Sequence, residues 1–263
     1  MLDMEVSPAP YTCSNCHHCA GKSRKRLRVL CLHGFRTSAA ILRKQLAKWD
    51  SPMLNDLLEL NFLDAPFPCR GKSDVDGIFP PPFYEWFQYN IIFTEYVGMD
   101  ECIQYITKYM YEHGPFDGLL GFSQGAVLSA ALAGLQQKGL ALSEHPSLRF
   151  VIIVSGAMLK NPQMKENCYS ENIRCPSVHL IGSRDWLKPR NEELRQVFED
   201  PVIIRHGARH TVPKLDDEAI AILYDFLIQF DSGKHHTPAT YGRGCKNEGI
   251  SKEDCLAEIE VVT

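Results

Sequence analysis

GLLGFSQG, residues 118–125, is an apolar run that ends in a Gly-x-Ser-x-Gly pentapeptide and leads directly into a helical pattern. A serine in this setting lies on a tight turn between a strand and a helix, and the turn points its hydroxyl outward above the sheet. Glycines flank it because side chains there would collide with the neighbouring backbone. The pentapeptide also occurs by chance in glycine-rich turns, but its strand–turn–helix context favours Ser123 as a nucleophile.

Outward from this turn, short apolar runs alternate with amphipathic stretches along most of the chain. The runs that predict strands are 28–32, 57–63, 118–121, 149–154, 177–181 and 202–205. The stretches that predict helices are 38–49, 98–112, 124–137, 190–198 and 216–230. This alternation is typical of an α/β fold with a doubly wound, mostly parallel sheet and helices on both faces. Ligands of such sheets bind beyond the carboxyl ends of the strands.

A serine hydroxyl is a weak nucleophile until a base takes its proton, so the hypothesis demands an acid and a histidine that follow Ser123 in the chain. Asp185 and His210 come directly after the fifth and sixth predicted strands, which brings both to the carboxyl-end edge of the sheet. His206 is a rival base closer to its strand. His210 is favoured because it occupies the loop from which the base must reach Ser123.

The oxyanion that forms on acyl attack needs two backbone donors. One is expected from Gln124, the residue after the nucleophile. The other is expected from Phe35, in the HGF sequence at 33–35 that follows the first predicted strand. His33 is interpreted as a residue that holds the shape of this loop rather than as a proton carrier.

Residues 64–97 interrupt the alternating pattern with many prolines and glycines, followed by an aromatic cluster. Loops of this length in a compact domain are usually lids, binding loops or disordered segments. The tentative substrate-binding residues are Phe79, Phe83, Tyr84, Trp86 and Phe87, as an apolar wall for an acyl chain. The alternative, that these aromatics only cover one edge of the sheet, stays open.

Composition excludes some classes of partner. The chain of 263 residues has a formal net charge of -4 and a pI near 6.2, so it has no basic field for nucleic acid or an anionic membrane. No stretch resembles a signal peptide or a membrane span. The ten cysteines stand at irregular spacings, which indicates thiols in a reducing compartment. We expect a cytoplasmic protein with small-molecule partners, with the nucleus as the alternative location; oligomeric state is not predicted.

The chain is expected to divide into three parts. Residues 1–26 form a flexible leader, 27–230 a single hydrolase domain, and 231–263 a weakly ordered tail. The leader contains Cys13, Cys16 and Cys19, with spacings that soft metals can use, and a short basic run at 22–26. A disordered cysteine-rich leader is favoured over a metal site because no second ligand pair follows nearby.

Taken together, several segments resemble the FSH family of serine hydrolases, in particular plant members related to the ovarian-cancer-associated-protein-type esterases. The segments are LHGFRTS at 32–38, FLDAP at 62–66, Trp86, GFSQGA at 121–126, and the stretches around Asp185 and His210. The resemblance covers most of residues 27–230. The leader and the tail depart from the minimal form of the family.

The resemblance implies a compact α/β-hydrolase that acts on carboxylic esters or thioesters, often with medium or long acyl chains, and needs no metal or organic cofactor. It assigns Ser123 as nucleophile, Asp185 as acid and His210 as base, with Phe35 and Gln124 as oxyanion donors. Two alternatives stay open. A thioesterase or acyltransferase would use the same triad, and a ligand receptor or scaffold would use the same fold without catalysis.

Overall fold

The computed structural model describes residues 25–231, and its centre is a six-stranded sheet with the order β6-β5-β4-β3-β1-β2. The strands are β1 (Leu27–Leu32), β2 (Leu58–Leu63), β3 (Gly118–Phe122), β4 (Phe150–Val154), β5 (Ser177–Gly182) and β6 (Val202–His206). Each neighbouring pair is parallel. β3 and β4 are buried along their whole length, as expected of strands with helices on both faces.

Seven helices cover this sheet within the described residues. They are α1 (Ala39–Leu46), α2 (Pro52–Leu57), α3 (Met99–His113), α4 (Gln124–Gln137), α5 (Pro162–Tyr169), α6 (Lys188–Arg195) and α7 (Asp217–Ile228). Helices α3 and α4 pack into one apolar cluster, and α1, α2 and α7 pack into another on the opposite face. The predicted α/β class with a mostly parallel sheet and helices on both faces is therefore confirmed.

Helix α4 is the central helix, and its small side chains explain how close it lies to the sheet. Its sequence is almost entirely apolar, and most of its residues are buried. At Gly125, a Cβ atom would collide with the backbone carbonyl of Leu32 at the end of β1. Only glycine allows this approach, and it sets the position of the helix that begins directly after Ser123.

Two helices were not predicted. Helix α2 ends at Leu57 and β2 begins at Leu58, so the predicted strand over 57–63 begins one residue too early. Helix α5 is short and mostly polar, and nothing in its sequence shows a strong apolar period. Short helices of this kind depend on tertiary packing more than on propensity. Helix α6 covers Lys188–Arg195 rather than the predicted 190–198.

Residues 64–97 form what we call the excursion, which is irregular apart from two short antiparallel pairs. Phe67–Pro68 pairs with Tyr84–Glu85, and Gln88–Tyr89 pairs with Tyr96–Val97. The excursion also meets the loop after β1, because the Tyr84 amide donates to the Thr37 carbonyl at 2.7 Å. This bridge holds the excursion beside the carboxyl ends of the strands.

Some sequence expectations fall outside the described residues. These are most of the leader over 1–26, with Cys13, Cys16 and Cys19, and all of the tail over 231–263 except its first residue. Within residues 25–231 the cysteines are free thiols, and burial raises the pKa of Cys168 to about 12. No helix in this part of the chain has both the length and the apolar character needed to span a bilayer.

Candidate active site

Ser123 lies on the turn between β3 and α4 in a strained backbone conformation. Its φ of 52° and ψ of -114° are unusual for a residue with a side chain. The turn is held by the Ser123 amide, which donates to the Val154 carbonyl at 3.0 Å. A Cβ at Gly121 would collide with the backbone of Gly125 across the turn, so the two glycines of the pentapeptide are required sterically.

The structure brings Ser123, His210 and Asp185 into one hydrogen-bonded chain. Ser123 Oγ lies 2.9 Å from His210 Nε2, and His210 Nδ1 lies 3.0 and 3.1 Å from the two carboxylate oxygens of Asp185. The Asp185 side chain is fully buried, and its Oδ1 also accepts from the Leu187 amide at 2.8 Å. A carboxylate that accepts at Nδ1 leaves the Nε2 lone pair free to accept the serine proton.

His206, the rival base, does not face Ser123. Its Nδ1 accepts from the Ala208 amide at 3.3 Å, and its Nε2 is buried with no hydrogen-bond partner among the described residues. Burial lowers the pKa of His206. It is therefore a largely neutral histidine at the end of β6, and His210 in the loop beyond it is the histidine that contacts Ser123.

The loop after β1 approaches Ser123 closely. A Cβ at Gly34 would lie 3.1 Å from the Phe122 ring and 3.6 Å from Ser123 Cβ. His33 stabilises this loop: its Nε2 accepts from the Ala65 amide at 3.0 Å, and its Nδ1 lies 2.8 Å from the Gly34 carbonyl, to which it donates. Burial lowers the pKa of His33 to about 4, which agrees with a neutral ring in a structural role.

Gln124 links the nucleophile turn to the excursion. Its side-chain oxygen accepts from the Trp86 amide at 3.1 Å, and its side-chain nitrogen donates to the Phe87 carbonyl at 2.7 Å. The Trp86 indole in turn donates to the His33 carbonyl at 2.8 Å. Sequence reasoning singled out Gln124 for its backbone amide and missed this second contribution of its side chain.

A buried ion pair provides a further link between the excursion and the loop after β1. Arg36 Nε donates to Glu85 Oε1 at 2.7 Å, and the Glu85 side chain is only 1% exposed. Arg36 also donates to the Lys72 carbonyl, and Ser73 Oγ donates to the Arg36 carbonyl. Arg36, which follows Phe35 in the chain, is thus held by three contacts with the excursion.

A cavity of about 520 Å³ opens beside Ser123 and His210 and has mostly apolar walls. The loop after β1, the excursion, the segment after β4 and the segment around Asp185 all contribute to it. Its aromatic and aliphatic lining includes Phe35, Val75, Ile78, Phe79, Phe87, Tyr89, Phe93, Tyr96, Val127, Met158, Leu159, Trp186 and Leu187. This volume is in the usual range for small-molecule sites.

Only some of the residues predicted to form the substrate wall line the cavity. Phe79 and Phe87 line the cavity, whereas Phe83, Tyr84 and Trp86 do not. Assigning Trp86 to the wall is wrong, because its side chain is completely buried and its indole N–H donates to the His33 carbonyl. The open alternative of an edge-covering role also fails for Trp86, which packs inside the apolar cluster with α3 and α4.

Several cavity residues were not predicted. Trp186 is 69% exposed, and its ring centre lies 5.1 Å from that of His210, so the indole shields one side of the imidazole. Phe93 lies just beyond the aromatic cluster that the sequence singled out, which ends at Tyr89, and extending that cluster by four residues would have found it. Met158 follows β4 without any local signal.

Comparison with known proteins identifies relatives of this chain. A profile of the family described as "Serine hydrolase (FSH1)" matches residues 23–222. The human protein named "Esterase OVCA2" is 32% identical over 227 residues, which cover 79% of this chain and 98% of that protein. A Schizosaccharomyces pombe protein named "Dihydrofolate reductase" is 31% identical over 72% of this chain. The chain spans only 44% of the length of that protein and 40% of the length of the Arabidopsis thaliana "Rhodanese-like domain-containing protein 6".

Solved structures share the fold at low sequence identity. The crystal structure of Zea mays acyl-protein thioesterase 2 covers 79% of this chain and is itself covered to 95%, with a TM-score of 0.56 and 16% identity. At this identity the likeness concerns the fold, which is the α/β architecture of β1 to β6 and their helices.

Proposed function

The chain belongs to the FSH1 serine hydrolase family, and on that premise we propose that it hydrolyses carboxylic esters through an acyl intermediate on Ser123. The family match and the esterase-named relatives support the predicted class of ester-cleaving serine hydrolase. One observation supports the roles of individual residues: Ser123, His210 and Asp185 are joined by hydrogen bonds at the mouth of an apolar cavity.

In the first half-reaction His210 Nε2 takes the proton of Ser123 as Oγ attacks the ester carbonyl carbon. The tetrahedral intermediate then expels the alcohol, which receives the proton from His210. Asp185 holds the Nδ1 tautomer and stabilises the positive charge on the imidazolium. In the second half-reaction water attacks the acyl-serine with the same base, which releases the carboxylic acid and restores Ser123.

The oxyanion would be bound by the backbone amides of Phe35 and Gln124. Both residues line the cavity beside Ser123. The amide of Gln124 stands at the start of α4, where the helix dipole adds positive potential. The contacts of His33 and Arg36 would keep the Phe35 loop in place before substrate binds, so that little reorganisation is needed during the reaction.

The substrate class follows from the cavity. Its aromatic and aliphatic walls favour an ester with an apolar acyl chain of medium length or longer. The same residues would cleave a thioester, since only the leaving atom differs. Turnover of oxygen esters and thioesters with identical acyl groups would rank the two classes directly, and a much higher kcat/KM for the thioester would reassign the protein as a thioesterase.

We also infer that residues 27–230 make up the catalytic domain and that the protein works in the cytoplasm. The family profile covers nearly the same span as this domain. Free cysteines among the described residues agree with a reducing compartment.

Reaction with a fluorophosphonate probe tests the proposed mechanism. We expect wild type to be labelled and Ser123→Ala not to be labelled, whereas Ser183→Ala, at an exposed serine after β5, is labelled normally. His210→Gln should slow labelling by at least ~100-fold, the size of a lost general base. A folded wild-type protein that is not labelled would favour a ligand receptor or scaffold instead.

A further inference from the structure

Arg190 occupies an unusual position in the cavity wall. It lies in the first turn of α6, just beyond the loop that carries Asp185 and Trp186. The residue is half-buried, lines the cavity, and its guanidinium carbon lies 4.6 Å from the centre of the Phe93 ring. A positive charge therefore faces a space that is otherwise mostly apolar.

The charge of Arg190 has no anionic partner within residues 25–231, and its guanidinium makes no hydrogen bond there. The other half-buried arginines of this part of the chain differ: each forms an ion pair of 3.2 Å or less with a carboxylate. They are Arg28 with Glu59, Arg36 with Glu85, Arg149 with Asp117, and Arg195 with Glu192. A partly desolvated cation is stabilised by a counter-charge, and the face of Phe93 supplies only part of one.

A row of aromatic rings connects Phe35, in the loop after β1, with the Arg190 guanidinium. The Phe35 and Tyr89 rings are 5.1 Å apart, Tyr89 stacks on Phe93 at 4.7 Å, and Arg190 lies over Phe93. Three successive contacts thus lead from the residue beside the nucleophile to the guanidinium. The part of a substrate that lies along this row would bring its far end to Arg190.

Asp74 is the other residue of the lining with a formal charge, apart from the base itself. No ion pair joins Asp74 to Arg190. Burial raises the pKa of the Tyr89 hydroxyl, the charge of Arg36 lowers it, and the charge of Asp74 raises it. Because Asp74 leaves the guanidinium unneutralised, Arg190 retains its five N–H donors for a bound anion.

We propose that Arg190 binds a carboxylate of the substrate, so that the preferred substrates are esters with a second, free carboxylate at the end of an otherwise apolar chain. Half-esters of dicarboxylic acids carry it on the acyl side, and esters of hydroxy acids carry it on the alcohol side. A carboxylate matches the planar fork of one guanidinium. A phosphate dianion fits less well, since no second unpaired cation lines the described cavity to balance its second negative charge. The inference rests on the proposed function of Ser123.

Two matched pairs of esters test this inference with the full chain. The first pair is p-nitrophenyl esters of equal chain length whose acyl group ends in a methyl or a carboxylate group. The second pair is butyrate esters whose alcohol ends in a methyl or a carboxylate group. For each pair, the kcat/KM of the carboxylate form is divided by that of the methyl form. In one of the two pairs we expect this ratio to be at least ~10-fold lower in Arg190→Gln than in wild type. The affected pair identifies the side on which the carboxylate lies.

The controls separate this inference from the proposed mechanism. Lys188→Gln removes a cation from the same helix turn that does not line the cavity, and it should leave both ratios unchanged. Arg190→Lys should keep part of the preference. If Arg190→Gln changes methyl and carboxylate forms equally in both pairs, the carboxylate site is wrong, while fluorophosphonate labelling and methyl-ester turnover would still support the catalytic role of Ser123.

Discussion

At the scale of single residues, Gln124 illustrates how one side chain serves two structures. Its backbone begins α4 beside the nucleophile, and its buried side chain binds both the Trp86 amide and the Phe87 carbonyl. A buried amide that loses such a partner is left unsatisfied, which costs about 1–3 kcal/mol. Gln124 thus couples the position of the excursion to the turn on which Ser123 lies.

Replacing Gln124 with Ala should lower kcat by about 10-fold and destabilise the protein by about 1–3 kcal/mol, because two buried hydrogen bonds with the excursion are lost. Ester turnover and urea unfolding measure both effects. Gln136→Ala is a matched control: Gln136 also lies in α4, and its side chain accepts from the Leu148 amide at 2.8 Å, far along the helix from Ser123. It should lose stability but keep kcat, and an equal loss of kcat in both variants would contradict a specific role of Gln124.

Two buried histidines should make stability depend on pH. Burial lowers the pKa of His33 to about 4 and that of His179 to about 3. Between these values and the ordinary value of about 6.5, the unfolded chain binds protons that the folded chain does not. Stability should therefore fall as the pH is lowered from about 6.5 towards 4, by about 2 kcal/mol per histidine at pH 5.

Urea unfolding at pH 7 and pH 5 measures this loss. His33→Asn and His179→Asn should each show a smaller difference between the two pH values than wild type, since each removes one of the contributing groups. An unchanged pH difference in both variants would assign the acid sensitivity to other groups. Only the His33 variant should also reduce fluorophosphonate labelling, because it alone supports the loop of Phe35.

At the scale of elements, the excursion and the loop after β1 behave as one unit. The Arg36–Glu85 ion pair, the bridge between Thr37 and Tyr84, and the Trp86 indole connect them at successive residues. Neither segment has enough regular structure of its own to define a loop conformation. Their mutual contacts determine where the Phe35 amide lies.

Glu85→Ala should therefore reduce both stability and catalysis. Removing one partner of a buried ion pair costs about 3–5 kcal/mol, because Arg36 is left without its counter-charge; Arg36 is 26% exposed, which places the expected value at the lower end. Thermal unfolding and the rate of fluorophosphonate labelling provide the measurements. Glu59→Ala, which removes the partner of Arg28 in a more exposed pair, should change stability by less than ~1 kcal/mol and leave labelling intact.

In the molecule as a whole, the cavity collects residues from segments that lie far apart in the chain. Phe79 belongs to its wall, whereas Trp86 lies beneath it in the apolar cluster. The two residues are only seven positions apart in one aromatic segment. Their roles diverge because the chain turns between them.

This difference predicts opposite results for two alanine variants. Phe79→Ala should reduce kcat/KM for long acyl esters about 5- to 10-fold more than for acetate esters, because it removes apolar contact area from the cavity. Trp86→Ala should destabilise the protein by about 3–5 kcal/mol and lower turnover equally for all chain lengths. Hydrolysis of p-nitrophenyl esters of graded length, together with unfolding curves, distinguishes the two. Selective loss of long esters in Trp86→Ala would overturn its assignment as a buried support.

The α/β class, the six sheet strands and the tight turn at Ser123 were all predictable from the amino-acid sequence, because each depends on neighbours in the chain. Apolar periodicity indicates strands and helices, and the strand–turn–helix context of Ser123 is contained in eight residues. The positions of Asp185 and His210 after later strands also followed, since parallel strands end at one edge. The three-dimensional structure was needed to show that Trp86 is buried, that Gln124 binds the excursion and that Arg190 faces the cavity with no partner among residues 25–231. These features arise where side chains from distant segments meet, and no local pattern records which of them will come into contact.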